Sequence, residues 1–287
     1  MIPHHSLVGE AHAPHLVFLT HGVLGAGHNL RSLAKRLCER RTDLQVVLID
    51  LRYHGKSLGA SPPATLEACA QDFSALSEHL QRAPDAVIGH SLGGKVALTY
   101  GLAHEQDSQR LRSLPEPSQL KQVWTLDSDP GAQAPSGHHQ VQTVLAALRL
   151  HPGPFANRAQ ATAALTSEGL SQPLAQWLGT SLARSADGLR FVYELEPIGE
   201  LLNDYFALDY WPKLEAIAHD KSGRGVRYEL LVAEESDRWS GTMKEKAAGL
   251  NRGGRVRVHT LPKSGHWVHV DNPDGLLALL EANLLRA

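Results

Sequence analysis

The chain has 287 residues, enough for one large domain or two small ones. It is 42% hydrophobic and 20% charged, with 25 Gly and 16 Pro, which excludes disordered, collagenous and low-complexity classes. Lys+Arg total 28 and Asp+Glu 30, so no basic excess points to nucleic acid or an anionic membrane surface. Cys38 and Cys69 are too few for a disulfide scaffold and suit a reducing compartment. The opening residues 1–13 lack a charged segment followed by a long apolar run. Apolar runs such as 46–49 fall far short of the ~20 residues of a membrane span. A soluble, cytoplasmic protein acting on a small molecule is the expectation. The unusual count is histidine, 17 in all, and position must decide what they do.

In chain order, 15–20 (HLVFLT) is a short apolar run that reads as a buried strand. Residues 29–38 put Leu30, Leu33 and Leu37 on one helical face. Residues 44–51 (LQVVLIDL) form a second buried strand, rich in β-branched side chains. Thr65 caps a helix whose Leu66, Cys69, Ala70, Phe73, Leu76 and Leu80 share a face. A short strand at 86–88 leads into a glycine-rich turn and a helix to about 104. Residues 120–126 are another strand, ending at Asp127. This alternation predicts an α/β fold with a mainly parallel sheet covered on both faces.

The rhythm changes near Pro130. Residues 131–222 read as a mostly helical insertion, with helices at 141–150, 158–165 and 174–182 and a short strand at 189–195. Strands then resume at 226–233 and 255–261. Asn272 before Pro273 marks the start of a last helix, a side-chain cap followed by proline at the first helical position. The expected organisation is a core of 1–130 and 223–287 with 131–222 as a cap.

Gly89-His90-Ser91-Leu92-Gly93 matches G-x-S-x-G at a strand-to-helix junction, the setting of a nucleophile elbow. The sharp turn strains the serine backbone, and side chains two residues either side would clash, hence glycine at 89 and 93. A serine nucleophile needs a base. His266 follows the last strand and precedes the last helix, at the carboxyl edge of the sheet where such sites assemble. His259 and His269 read as solvated polar groups. The two oxyanion N–H groups are expected from Leu92 and from the loop after the first central strand, best at Val23 with Leu24 as the alternative.

His21-Gly22-Val23-Leu24-Gly25, Asp50-x-Arg52-x-His54-Gly55-x-Ser57, Gly89–Lys95 and Gly265-His266-Trp267-Val268-His269 stand in order along the chain. Together they resemble the α/β-hydrolase superfamily, and within it the YbfF-type esterases and abhydrolase-domain relatives. The resemblance covers 15–130 and 226–285, and the cap only in placement and rough length. It implies a Ser91–His266–acid triad and hydrolysis of carboxylic esters or thioesters without metal or organic cofactor. The resemblance puts the acid after the strand that follows the nucleophile helix, at Asp127. Other α/β-hydrolases put it one strand later, which leaves Asp237 as the alternative, with Asp129 and Glu235 behind. The common G-x-x-D pattern there would align Ser236 with the acid. The superfamily usually opens with a hairpin, and the few residues before His15 imply a first edge trimmed to one short strand.

Asp50, Arg52 and His54 are read as loop braces, Lys95 as structural, and His90 as pointing away from the nucleophile. His4, His5, His12 and His15 lack ligand spacing, and His138 and His139 diverge on a helix, so no metal is expected. Gly25-Ala26-Gly27 lacks the third glycine of a dinucleotide loop. Trp177, Phe191, Tyr193, Tyr205, Phe206, Tyr210 and Trp211 are the aromatic stock for an apolar pocket under the cap, and most of them should pack its core. Arg149, Arg158, Arg184 and Arg190 could supply cations. The rival readings are C–C bond hydrolysis or perhydrolysis on the same triad, and a non-catalytic ligand receptor on the same fold.

Overall fold

The computed structural model describes residues 1–107, 120–134 and 139–286. Runs of β-branched and apolar residues form strands because the sheet buries them on both faces. The strands are β1 (His5–Gly9), β2 (His15–Thr20), β3 (Leu44–Ile49), β4 (Ala86–His90), β5 (Gln122–Leu126), β8 (Arg227–Ala233) and β9 (Val256–Leu261). They form one sheet in the order β1-β3-β2-β4-β5-β8-β9. Every pair is parallel except β1 with β3, so the first edge is a single short antiparallel strand. All residues of β3, β4 and β5 are buried.

Helices α1 (Arg31–Arg40) and α10 (Pro273–Asn283) cover one face, where Leu33 and Leu37 share a core with Leu276, Leu277 and Leu280. Arg40 pairs with Glu281 across them at 3.1 Å. Helices α2 (Leu66–Leu80) and α3 (Leu92–Asp107) cover the other face. The expected caps are present: Thr65 accepts from the Ala68 N–H at 3.2 Å, and Asn272 from Gly275 at 2.9 Å.

Residues 131–222 hold α4 (His139–Leu150), α5 (Arg158–Ser167), α6 (Gln172–Leu178), the hairpin β6 (Leu182–Ser185) and β7 (Gly188–Phe191), α7 (Leu195–Ala207) and α8 (Trp211–His219). The reading of 174–182 as one helix and 189–195 as a lone strand is corrected here. The helix stops at Leu178, and the strand pairs with a partner, Leu182 opposite Phe191. Helix α9 (Gly241–Ala248) follows β8.

The parallel order sends the carboxyl ends of β4, β5, β8 and β9 to one edge. Gly89 pairs with Thr125, Leu126 with Leu231 and Ala233 with Leu261. Ser91, Asp127, Ser236 and His266 all lie on loops leaving that edge.

Candidate active site

Ser91 follows β4 directly and sits at φ 52°, a left-handed backbone that costs a non-glycine residue roughly 1–3 kcal/mol. The elbow is too tight for side chains around it. A β-carbon on Gly89 would lie 1.9 Å from the Gly93 carbonyl oxygen, and one on Gly93 would lie 2.5 Å from the His21 carbonyl oxygen. Helix α3 starts at Leu92, so its unpaired first N–H groups and positive dipole end face the turn.

Asp127 directly follows β5 and is buried, also at positive φ (49°). Its Oδ2 lies 2.7 Å from His266 Nδ1. The same oxygen accepts from Ser236 Oγ at 2.6 Å, and Oδ1 accepts from the Ala233 N–H at 2.9 Å. The carboxyl is therefore fixed from both sides before it meets the imidazole. Asp237 is elsewhere: it is exposed and pairs with Arg238 at 3.3 Å. Glu235 is exposed too, and Asp129 binds the Gly131 N–H at 2.8 Å. Among these four carboxyls, Asp127 is the one hydrogen-bonded to His266.

The loop carrying Val23 lies against the elbow: a β-carbon on Gly22 would sit 3.1 Å from Ser91 Cβ. Gly22 to Gly25 form a turn closed by the Gly25 N–H on the Gly22 carbonyl at 3.1 Å, with Leu24 at φ 59°. His21 braces it, its Nδ1 on the Gly22 carbonyl at 2.7 Å and its Nε2 accepting from the Leu51 N–H at 3.0 Å. Both contacts require one neutral tautomer, and burial agrees by lowering the His21 pKa against the pull of Asp50.

Ser91, His266, Val23, Leu24, Leu92 and Asp127 all line one cavity of about 490 Å³. Its apolar wall includes Val141, Val144, Leu174, Trp177, Leu202 and Phe206. Of the aromatic stock, Trp177, Tyr205 and Phe206 line it. The other four are used in packing: Phe191 against Phe155, Tyr210 on Thr99 Oγ1 at 2.8 Å, Trp211 beside Trp239, and Tyr193 on a core loop. Arg149, Arg158, Arg184 and Arg190 are not among the lining residues. Arg149 pairs with Glu196, Arg190 with Asp187, Arg158 binds the Gly179 carbonyl, and Arg184 is exposed.

Three histidine readings are corrected. His90 does not point away: it lines the cavity and donates from Nε2 to the His266 carbonyl at 2.8 Å, with ring centroids 4.8 Å apart. His269 is not solvated but part-buried on the cavity wall, with Nδ1 unbonded. Burial, with His266 as a like-charged neighbour, lowers His269 to about 4 and holds His90 well below its usual value. His259 is also occupied, 2.7 Å from Glu229 and stacked on Trp124. Sequence reasoning missed Ser236 as the partner of Asp127. Its signal was present, because the G-x-x-D register puts Ser236 at the alternative acid position.

The brace residues do brace. Asp50 accepts from the Gly27 N–H at 2.7 Å and the Lys56 N–H at 2.9 Å, Arg52 pairs with Asp72 at 2.8 Å, and His54 Nδ1 donates to the Arg52 carbonyl at 2.9 Å. Among the described residues, no cluster of three His, Cys, Asp or Glu has metal-binding geometry, and no helix is long and apolar enough to cross a membrane. His138 lies outside the described residues.

The model of the Alpha/beta hydrolase family matches residues 16–279. The chain is 26% identical over 276 residues to the sn-1-specific diacylglycerol lipase ABHD11 of Mus musculus, spanning 94% of this chain and 81% of that one. It is 26% identical over 272 residues to Esterase YbfF of Escherichia coli (strain K12), spanning 93% and 92%. A solved marine microorganism esterase shares the fold with a TM-score of 0.76 at 22% identity, over 96% of this chain and 97% of that one.

Proposed function

The chain belongs to the alpha/beta hydrolase family, and from that premise we propose that it is a serine hydrolase cleaving ester or thioester bonds of small or medium acyl substrates. One observation carries the reading. A hydrogen-bonded Asp127–His266 pair shares a cavity wall with a serine held at positive φ on a strand-to-helix turn. Asp127 holds the His266 Nδ1 proton, which leaves Nε2 as the base. Nε2 takes the Ser91 proton as Oγ attacks the acyl carbon. The Val23 and Leu92 N–H groups receive the oxyanion. Collapse expels the alcohol or thiol, protonated by His266, and leaves an acyl-enzyme. His266 then deprotonates a water, which attacks the acyl group and releases the acid. Every group needed is a side chain or backbone amide, so the reaction needs no cofactor.

The apolar wall of the cavity supports an acyl substrate. Residues 131–222 act as the cap in this reading, since they supply Val141, Leu174, Trp177 and Phe206 to that wall. The esterase and lipase named among the relatives support the same class. The test is a panel of acyl esters and thioesters of graded chain length, with Ser91→Ala as control. Turnover should fall about 10³-fold or more in the variant, and a serine-reactive phosphonate should label Ser91. Full activity in Ser91→Ala, or no labelling of the folded protein, overturns the reading.

A further inference from the structure

Leu24 occupies the left-handed region without being glycine, and it is buried. Such a residue relaxes unless its surroundings over-determine it. Relaxation would rotate the Val23–Leu24 peptide and move the backbone that carries the Val23 amide. The near end of the turn is held locally by His21 and Gly25 on the Gly22 carbonyl. The far end is held from a distant part of the chain: Tyr193 Oη donates to the Leu24 carbonyl at 2.7 Å.

Tyr193 is itself clamped. It lies on the strap between β7 and α7, where its backbone forms an antiparallel bridge with His54. The Gly55 N–H donates to the Val192 carbonyl at 3.2 Å, and the Glu194 N–H to the Tyr53 carbonyl at 3.1 Å. Val192 also donates to the Ser181 carbonyl at 3.1 Å, and Glu194 accepts from the Gly59 N–H at 2.9 Å. The strap is thus stitched to Ser181, just before the β6–β7 hairpin, on one side and to the 53–59 loop on the other. Burial raises the phenol pKa, so the hydroxyl stays a donor at working pH. Tyr193 is not among the cavity-lining residues, so it has no direct call on the substrate.

We propose that Tyr193 is a positioning residue for the oxyanion hole, and that seating of its strap on the core loop is a condition for turnover. The proposal rests on the serine hydrolase reading above. The Val23 amide meets full negative charge only in the transition state, so misaiming it lowers kcat and leaves substrate binding alone.

The experiment compares wild type with Tyr193→Phe, which keeps the ring and removes the hydroxyl. A short-chain p-nitrophenyl ester is the substrate, and a trifluoromethyl ketone of matching length is the transition-state analogue. The expected result is a loss in kcat of roughly five- to thirtyfold, for the lost hydrogen bond to the Leu24 carbonyl, while loss of the Ser181 contact to the same hydroxyl leaves the turn untouched. KM should stay within about twofold, and analogue affinity should weaken by the same factor as kcat. Melting temperature should stay within about 4 °C of wild type. Unchanged kcat and analogue affinity would overturn the proposal. So would parallel losses in kcat, KM and melting temperature, the mark of a purely structural role. If wild type hydrolyses no ester and Ser91 does not label, the hydrolase reading itself falls, and the proposal with it. If wild type is active and Tyr193→Phe is silent, only the proposal falls.

Discussion

Asp127 and Asp237 differ by what surrounds them. Asp127 is buried, with Ala233, Ser236 and His266 as its partners. Asp237 stands in water beside Arg238, where an ion pair contributes little. Asp127→Asn would keep the volume but turn an acceptor into an amide that favours the wrong imidazole tautomer. The expected result is a fall in kcat of about 10³-fold or more, against near wild-type activity for Asp237→Asn. Steady-state rates on one ester decide between them, and the opposite pattern would move the acid to the loop after β8. The residues legible in the sequence were those whose role fixes a local motif. Ser91 needs glycines two residues either side, and His266 needs a loop at the sheet edge. Asp127 has no such local mark and was reached through the resemblance. The supports were less legible, because they are pairings across the fold: Ser236 on Asp127, His90 on the His266 carbonyl, Tyr193 on Leu24. Each joins residues at least 109 positions apart, which no short-range pattern reports.

At the scale of elements, strands and core helices were legible because burial imposes a period on them. The segment 131–222 was less so. Helix α7 carries Ile198, Leu201, Leu202, Tyr205 and Phe206 at helical spacing, and α8 has Pro212 in its first turn, yet neither helix is among the elements read from the sequence. Of their aromatics, Tyr205 and Phe206 line the cavity and Trp211 packs beside Trp239. Lys95 shows how this segment is tied to α3. Its Nζ donates to the carbonyls of Gly131 (2.7 Å), Tyr205 (2.7 Å) and Leu208 (3.0 Å). Burial lowers its pKa to about 8, while Asp129, Asp209 and Asp204 oppose the fall. It therefore stays mostly charged at neutral pH, at a net cost of about 3 kcal/mol relative to water once the aspartates have offset part of the desolvation. Removing it relieves that penalty but leaves three carbonyls without this donor, at about 1–3 kcal/mol each. The carbonyls outweigh the relief. Lys95→Met is expected to lose about 2 kcal/mol of stability and to speed proteolysis within 131–222. A denaturant midpoint equal to wild type would show that the three bonds contribute nothing net.

At the scale of the whole molecule, four of the 17 histidines acquire a thermodynamic role that composition alone could not assign. His21, His54, His90 and His269 all have pKa values lowered by burial, His54 to about 3 and His269 to about 4. In the unfolded chain each returns to about 6.5. Between the folded and unfolded values the unfolded chain holds the extra proton. Stability therefore rises with pH through this window and falls as pH drops below about 6.5. Each group contributes up to about 1.4 kcal/mol per pH unit. From neutral pH down to about 5, His54 and His269 together remove about 4 kcal/mol, and His21 and His90 add to the loss. Against a total of about 5–15 kcal/mol for a folded domain, that is a large share. The lowered carboxyls Asp43, Asp50 and Asp85 do not offset it, because they matter only below about pH 4. Urea unfolding at pH 7.5, 6.5 and 5.0 should show the midpoint falling steeply between the last two, with an unchanged m-value. His54→Leu should flatten the slope by about one proton, whatever it does to the absolute stability. A midpoint that stays level from pH 7.5 to 5.0 would mean that these histidines reach water in the folded protein, and that the wall of the candidate site is wetter than its packing implies.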